Sequence, residues 1–162
     1  MGQFLAVCLV LSGLVVSAAG ATQMIPPYRD DRSDAEALIR SYYNALYRKE
    51  FARAWSYYGE DKPAADFETF QADSQSIASV EDAYGAVEEE GAAGSMYYHV
   101  PVAVKLTHEG GAEEVLAGCY VARLANPQIQ GDPFMPMHIV SATLAPASGP
   151  LESAVPAGCP GA

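Results

Sequence analysis

The sequence predicts an α+β fold, with helices in the first half of the chain and an antiparallel meander of about four strands in the second. Three observations carry this. Apolar residues recur every three or four positions between residues 33 and 75, alternation replaces that rhythm from residue 77 onward, and glycine or proline marks the boundaries. Helices that precede the strands, rather than alternating with them, imply an α+β layer arrangement.

The first helix is expected to begin near Ser33, because Ser33 and Glu36 have the spacing of a capping box. Leu38, Tyr42, Ala45 and Leu46 then form one apolar stripe, with Arg40, Asn44 and Arg48 elsewhere around the axis. A second helix is expected over residues 50–58, with Phe51, Ala54, Trp55 and Tyr58 inward and Gly59 as its stop. Past Pro63, the residues Phe67, Phe70 and Gln71 predict a shorter third helix ending near Gln75. Residues 77–87 read as the first strand and residues 91–94 as a turn, with Glu88-Glu89-Glu90 a solvated part of that turn. Residues 95–107 are the clearest strand. Met96, Tyr98, Val100, Val102, Val104 and Leu106 share one face, and Tyr97, His99, Pro101, Ala103 and Lys105 the other. Pro101 has no N–H to give to a ladder, so a bulge or an edge is expected there. Glu109-Gly110-Gly111 turns the chain into a strand over residues 115–124, and a proline-containing loop leads to the last strand, residues 137–144.

The ends carry different information. An apolar run over residues 4–16, broken at Ser12 and Gly13, is followed by Ala19-Gly20-Ala21, the small-x-small pattern that signal peptidase cuts. The expected organisation is a signal peptide (1–21), a flexible leader (22–33), one domain (34–145) and a Pro/Gly-rich tail (146–162). The run is shorter than the roughly 20 apolar residues a membrane span needs, which points to export, periplasmic or secreted, without stable membrane insertion. A signal anchor is the alternative, since Met1-Gly2-Gln3 lacks a basic side chain. Cleavage near Ala21 leaves Cys119 and Cys159, an even pair that reads as a disulfide in an oxidising compartment. The alternative is a small buried Cys119 and a Cys159 on a loose tail.

The helical pair "AEALIRSYYNALYRKEFARAWSYY", the helix "DFETFQ" and the strands ending "AGCYVARL" and "MHIVSATL" resemble the nuclear-transport-factor-2-like (cystatin-like) superfamily over residues 34–145. The resemblance implies a strongly curved antiparallel sheet wrapped as a cone around the first helix, with a pocket between them. Members often pair through the outer sheet face, which here implies a homodimer using Tyr97, His99 and Ala103. The superfamily hosts polyketide cyclases, scytalone dehydratase and ketosteroid isomerase, so the resemblance implies a fold more than an activity.

With 20 acidic against 9 basic residues the chain carries a net charge of −11, and its Lys and Arg do not cluster, which excludes nucleic acid as a partner. His99, His108 and His138 lack zinc-site spacing, and there is neither a nucleophile elbow nor a glycine-rich phosphate loop, so no metal or cofactor is expected. The leading expectation is an exported, non-enzymatic binding or interaction domain. A small apolar or aromatic ligand would lie against Tyr42, Trp55, Tyr98 and His138. The alternative is a lyase or isomerase using His138, whose even parity matches Val140, Ala142 and Leu144, as acid or base. The resemblance implies for it a helix-borne tyrosine, Tyr42 or Tyr43, polarising a carbonyl, with Glu81 or Asp82 as the interior carboxylate. His99 is expected away from the lined face and His108 in solvent beside the hairpin turn.

Overall fold

The computed structural model describes residues 24–160, so the expected cleavage near Ala21 lies outside the described residues. Helix α1 (Ala35–Tyr47) opens at Asp34 rather than Ser33: the Asp34 carboxylate accepts from the Ala37 N–H at 2.7 Å. The Ser33 N–H is itself taken by the Asp31 carboxylate at 2.9 Å. A carboxylate at the cap satisfies an orphan amide and also faces the positive end of the helix dipole, so the aspartate wins. α1 buries Leu38, Ile39, Tyr42, Tyr43, Ala45 and Leu46. Helix α2 (Phe51–Ser56) stops earlier than expected, because residues 57–59 leave it to bridge the last strand. Ile139 N–H donates to the Tyr57 carbonyl at 2.8 Å and Gly59 N–H to the Ile139 carbonyl at 3.0 Å. Helix α3 (Phe67–Ser74) is capped by Asp66 and joined to α2 where Trp55 packs against Phe67 and Phe70.

The sheet has five antiparallel strands: β1 (Ile77–Tyr84), β2 (Glu88–Ala92), β3 (Ser95–His108), β4 (Glu113–Ala125) and β5 (His138–Pro146). The order is β1-β3-β4-β5, with β2 beside the other half of β3. The fifth strand is the glutamate run, so Glu88-Glu89-Glu90 is ladder rather than turn. β1 and β2 are therefore one arm, interrupted at residues 85–87, and Pro101 stands opposite the interruption. Its carbonyl accepts from Gly85 N–H at 2.9 Å, and its missing donor points the same way, into the gap between the two strand ends. Pro101 is neither bulged nor at the rim, yet it costs the β3–β4 ladder nothing.

Val100, Val102, Val104, Leu106, Tyr120 and Ala122 form the inner face, buried beneath the helices. The outer face is also covered. The tail, with helix α4 (Leu151–Ala154), lies over β1 and β3 and is bonded to the sheet by the Cys119–Cys159 disulfide. Val155 and Pro101 close on Gly85 from two sides: a β-carbon there would sit 3.2 Å from one and 3.0 Å from the other. Ala103 is fully buried, and His99 and Cys119 are each 9 % exposed. The chain's own tail thus lies over part of the face expected to meet a second copy.

The leader is held as well. Asp31 N–H donates to the Ser41 hydroxyl at 2.8 Å, and Asn44 takes the Arg29 N–H at 3.0 Å while donating to the Pro27 carbonyl at 2.9 Å. Among the described residues no helix is long and apolar enough to cross a membrane.

Strand β5 carries the main departure from sequence parity. Val121 faces Ser141 and Ala122 faces Ile139, so Val140 is an extra residue, a bulge. Side-chain parity reverses across it. Ile139 points inward and is fully buried, while His138 faces Arg123, on the side opposite Ala142 and Leu144.

Candidate functional site

Four phenols from three elements meet under the helices. Tyr42 and Tyr43 come from α1, Tyr58 from the bridge after α2, and Tyr120 from the inner face of β4. Tyr42 packs edge-on to Tyr43 and Tyr58, with centroids 5.0 and 5.5 Å apart, and Tyr43 to Tyr120 at 6.1 Å. The Tyr43 and Tyr120 hydroxyls lie 2.6 Å apart, and Tyr58 closes the cluster by packing against Tyr42. Burial pushes the Tyr58 phenol up to about 12 and also raises those of Tyr42, Tyr43 and Tyr120 well above the ordinary phenol value. The cluster is therefore a set of neutral hydroxyls, able to donate and accept but not to carry charge at neutral pH.

Beside this cluster opens a cleft of about 510 Å³. Tyr58 and Tyr120 form its floor, Asp61, Lys62 and Pro63 one wall, and Val140, Ala142 and Leu144 the other. The helices leave this part of the inner face bare, so Ser141 and Ala142 are exposed and Leu144 half-buried. The Lys62 ammonium is fixed at the rim by the Tyr58 carbonyl at 2.9 Å and the Trp55 ring at 5.4 Å.

Tyr43 also lines a smaller hollow of about 230 Å³, with Arg40, Asn44, Tyr47 and Asp82. The register places Asp82 opposite Val104, facing inward, and Glu81 opposite Lys105, facing outward. Both Asp82 oxygens are engaged, one by Arg40 at 2.7 Å and the other by the Tyr84 hydroxyl at 2.9 Å. Burial, with Asp82 adding to it, holds the Tyr84 phenol well above its ordinary range.

The four ligand residues expected from sequence do not share a single hollow. Tyr42 is in the phenol cluster, and Trp55 is spent on Phe67, Phe70 and Lys62. Tyr98 lines a separate hollow with Glu36 and Val87 near the start of α1. His138 lines another with Arg32, Ser56 and Gly59. Its Nδ1 donates to the Pro136 carbonyl at 2.9 Å, and its ring lies so close over Gly59 that a β-carbon there would fall 2.5 Å from Cδ2. His108 bonds to the Ser76 hydroxyl at 2.8 Å rather than standing in solvent. The buried Nε2 of His99 has no hydrogen-bond partner and faces Glu90 at 3.6 Å. Among the described residues no group of His, Cys, Asp and Glu is arranged to hold a metal. Sequence reasoning reads Tyr58 as an inward helical residue without placing it at the cleft, and misses Tyr120, for which even parity with Ala122 and Leu124 is the available signal.

Comparison with protein-family models, with curated proteins and with solved structures gave no match.

Proposed function

We propose that the protein is an exported, non-catalytic binding domain of the nuclear-transport-factor-2-like type, and that its binding site is the cleft between residues 61–63 and β5. The observation that carries this is the floor of that cleft: two buried phenols, Tyr58 and Tyr120, set in a cluster of neutral phenols in which Tyr120 bonds to Tyr43 and Tyr58 packs on Tyr42, beneath an apolar wall of Val140, Ala142 and Leu144. An apolar surface with a few converging polar atoms and a volume in the range of ligand sites suits a compact apolar group with one hydrogen-bonding function. The helix-on-sheet arrangement supports the family reading, and the apolar run before Ala21 supports export.

Binding is favoured over catalysis by what surrounds the phenols. The inward carboxylate, Asp82, is committed to Arg40 and Tyr84, and His138 lies on the opposite face from Tyr120, so neither of these two bases expected from sequence meets the tyrosines of the cleft. Thermal-shift screening with small apolar and aromatic compounds tests the reading. A ligand at 100 times its dissociation constant should stabilise the fold by about 2.7 kcal/mol, and Ala142→Trp, which fills the cleft from an exposed position, should remove that gain. A flat response across the screen overturns it.

A further inference from the structure

We infer that the partner of this cleft is an extended peptide segment with basic flanks, which adds as a strand to the free edge of β5. The inference rests on the cleft being the binding site and names what enters it.

The two edges of the sheet differ in kind. On one side, β2 carries three successive glutamates and is separated from β1 by a break at residues 85–87. Charge and interruption are the usual protection of an edge against pairing. On the other side, β5 runs unbroken from Ser141 to Ala145 with no charged residue and no proline. The hydrogen-bond phase of that edge follows from one bond. Ala147 N–H donates to the Val115 carbonyl, so odd-numbered residues of β5 point their backbone groups at β4. Ala142 and Leu144 therefore present their N–H and C=O outward. The start of the same edge already accepts a chain: Ile139 pairs in parallel with Tyr58. Beyond that bridge the edge is open, and the cleft lies along it, with Ala142 and Leu144 contributing to both.

An added strand would bond to the backbone of Ala142 and Leu144, and every second side chain would fall on the inner face beside Leu144 and the Tyr58–Tyr120 floor. Backbone bonds supply affinity in this mode and the alternate side-chain sites supply selection. Charge decides the occupant. A second copy brings another −11, and Asp61 lines the cleft with Lys62 already fixed at its rim. Like-charged copies repel, whereas lysine or arginine on either side of an apolar stretch is attracted.

The test uses an acetylated, amidated ten-residue peptide of alternating valine and threonine with two lysines at each end, titrated calorimetrically against the protein. Ala142→Pro removes one outward N–H while leaving the β4 ladder whole, and Pro146, in the same phase of the strand, shows that the edge tolerates proline. Binding should weaken roughly tenfold or more in Ala142→Pro, as expected for an unmade backbone bond in a shielded groove. N-methylation of the peptide at alternate residues should abolish binding in one phase and spare it in the other. Peptide binding indifferent to Ala142→Pro and to methylation phase overturns strand addition while leaving the cleft as a binding site. Strand addition is likewise overturned, and the cleft retained, if small apolar compounds bind and the peptide does not. If neither binds, both readings fall. A concentration-dependent dimer in sedimentation, lost in Ala142→Pro, would make the occupant a second copy and overturn the peptide.

Discussion

The Tyr43–Tyr120 contact is where burial and polarity are most finely balanced. Each hydroxyl is deep in the core, and the 2.6 Å bond between them keeps both satisfied. Tyr43→Phe should cost about 1–3 kcal/mol in urea unfolding, since it strands the Tyr120 hydroxyl, and adding Tyr120→Phe should cost less than the second change alone. The same burial gives a pH dependence. Because the folded-state pKa of Tyr58 is raised to about 12, the unfolded chain releases that proton first. Its contribution is complete below about pH 10, the ordinary phenol value, and is lost as pH rises toward 12, at about 1.4 kcal/mol per pH unit for each such phenol. Urea midpoints at pH 8 and 11, with phenolate absorbance read alongside, check it: Tyr58→Phe should flatten the alkaline loss. At this scale the sequence is a partial guide. Tyr42 and Tyr43 are legible as inward residues because a regular helix fixes their phase. His138 is not, because parity counted backward along β5 fails at the Val140 bulge, and a bulge leaves no mark in residue type.

Elements are more securely legible than their ends, because periodicity spans many residues while a terminus depends on one or two hydrogen bonds. The start of α1 shows this. Ser33 and Asp34 are both good capping residues by type, and the charge of Asp34 at the positive helix end, together with the Asp31 carboxylate that takes the Ser33 amide, separates them. Asp34→Ala should therefore cost about 1 kcal/mol in thermal unfolding, and Ser33→Ala less than about 0.5 kcal/mol. Equal losses would restore the serine cap. The glutamate run reads as turn because charge argues against a strand, yet an edge is where a strand can carry it. β4 and β5 approach closely at Gly118, where a β-carbon would lie 2.0 Å from the Thr143 carbonyl oxygen. Backbone cannot swing aside as a side chain can, so Gly118→Ala should destabilise by roughly 3 kcal/mol or prevent folding, visible in circular dichroism and the urea midpoint.

For the whole molecule, the tail decides what the sheet exposes. Cys119 lies on the outer face beside Pro101, and its bond to Cys159 closes a 40-residue span that includes β5 and α4. Chain-entropy reasoning gives such a loop about 4 kcal/mol of stabilisation, a large part of what holds a domain of this size folded. The two cysteines outside the apolar N-terminal run indicate the pairing, but not that the tail covers Pro101, since composition alone cannot say what a proline-rich segment rests on. Cys159→Ser should lower stability by about 3–4 kcal/mol and free the segment after Pro146, so that limited proteolysis cuts between residues 147 and 158 while the α1–β5 body survives. Freed of the tail, Pro101 becomes accessible, and the variant should bind an apolar dye that the oxidised protein does not. Unchanged stability and protection in Cys159→Ser would mean that packing around Val155, rather than the covalent bond, holds the tail in place.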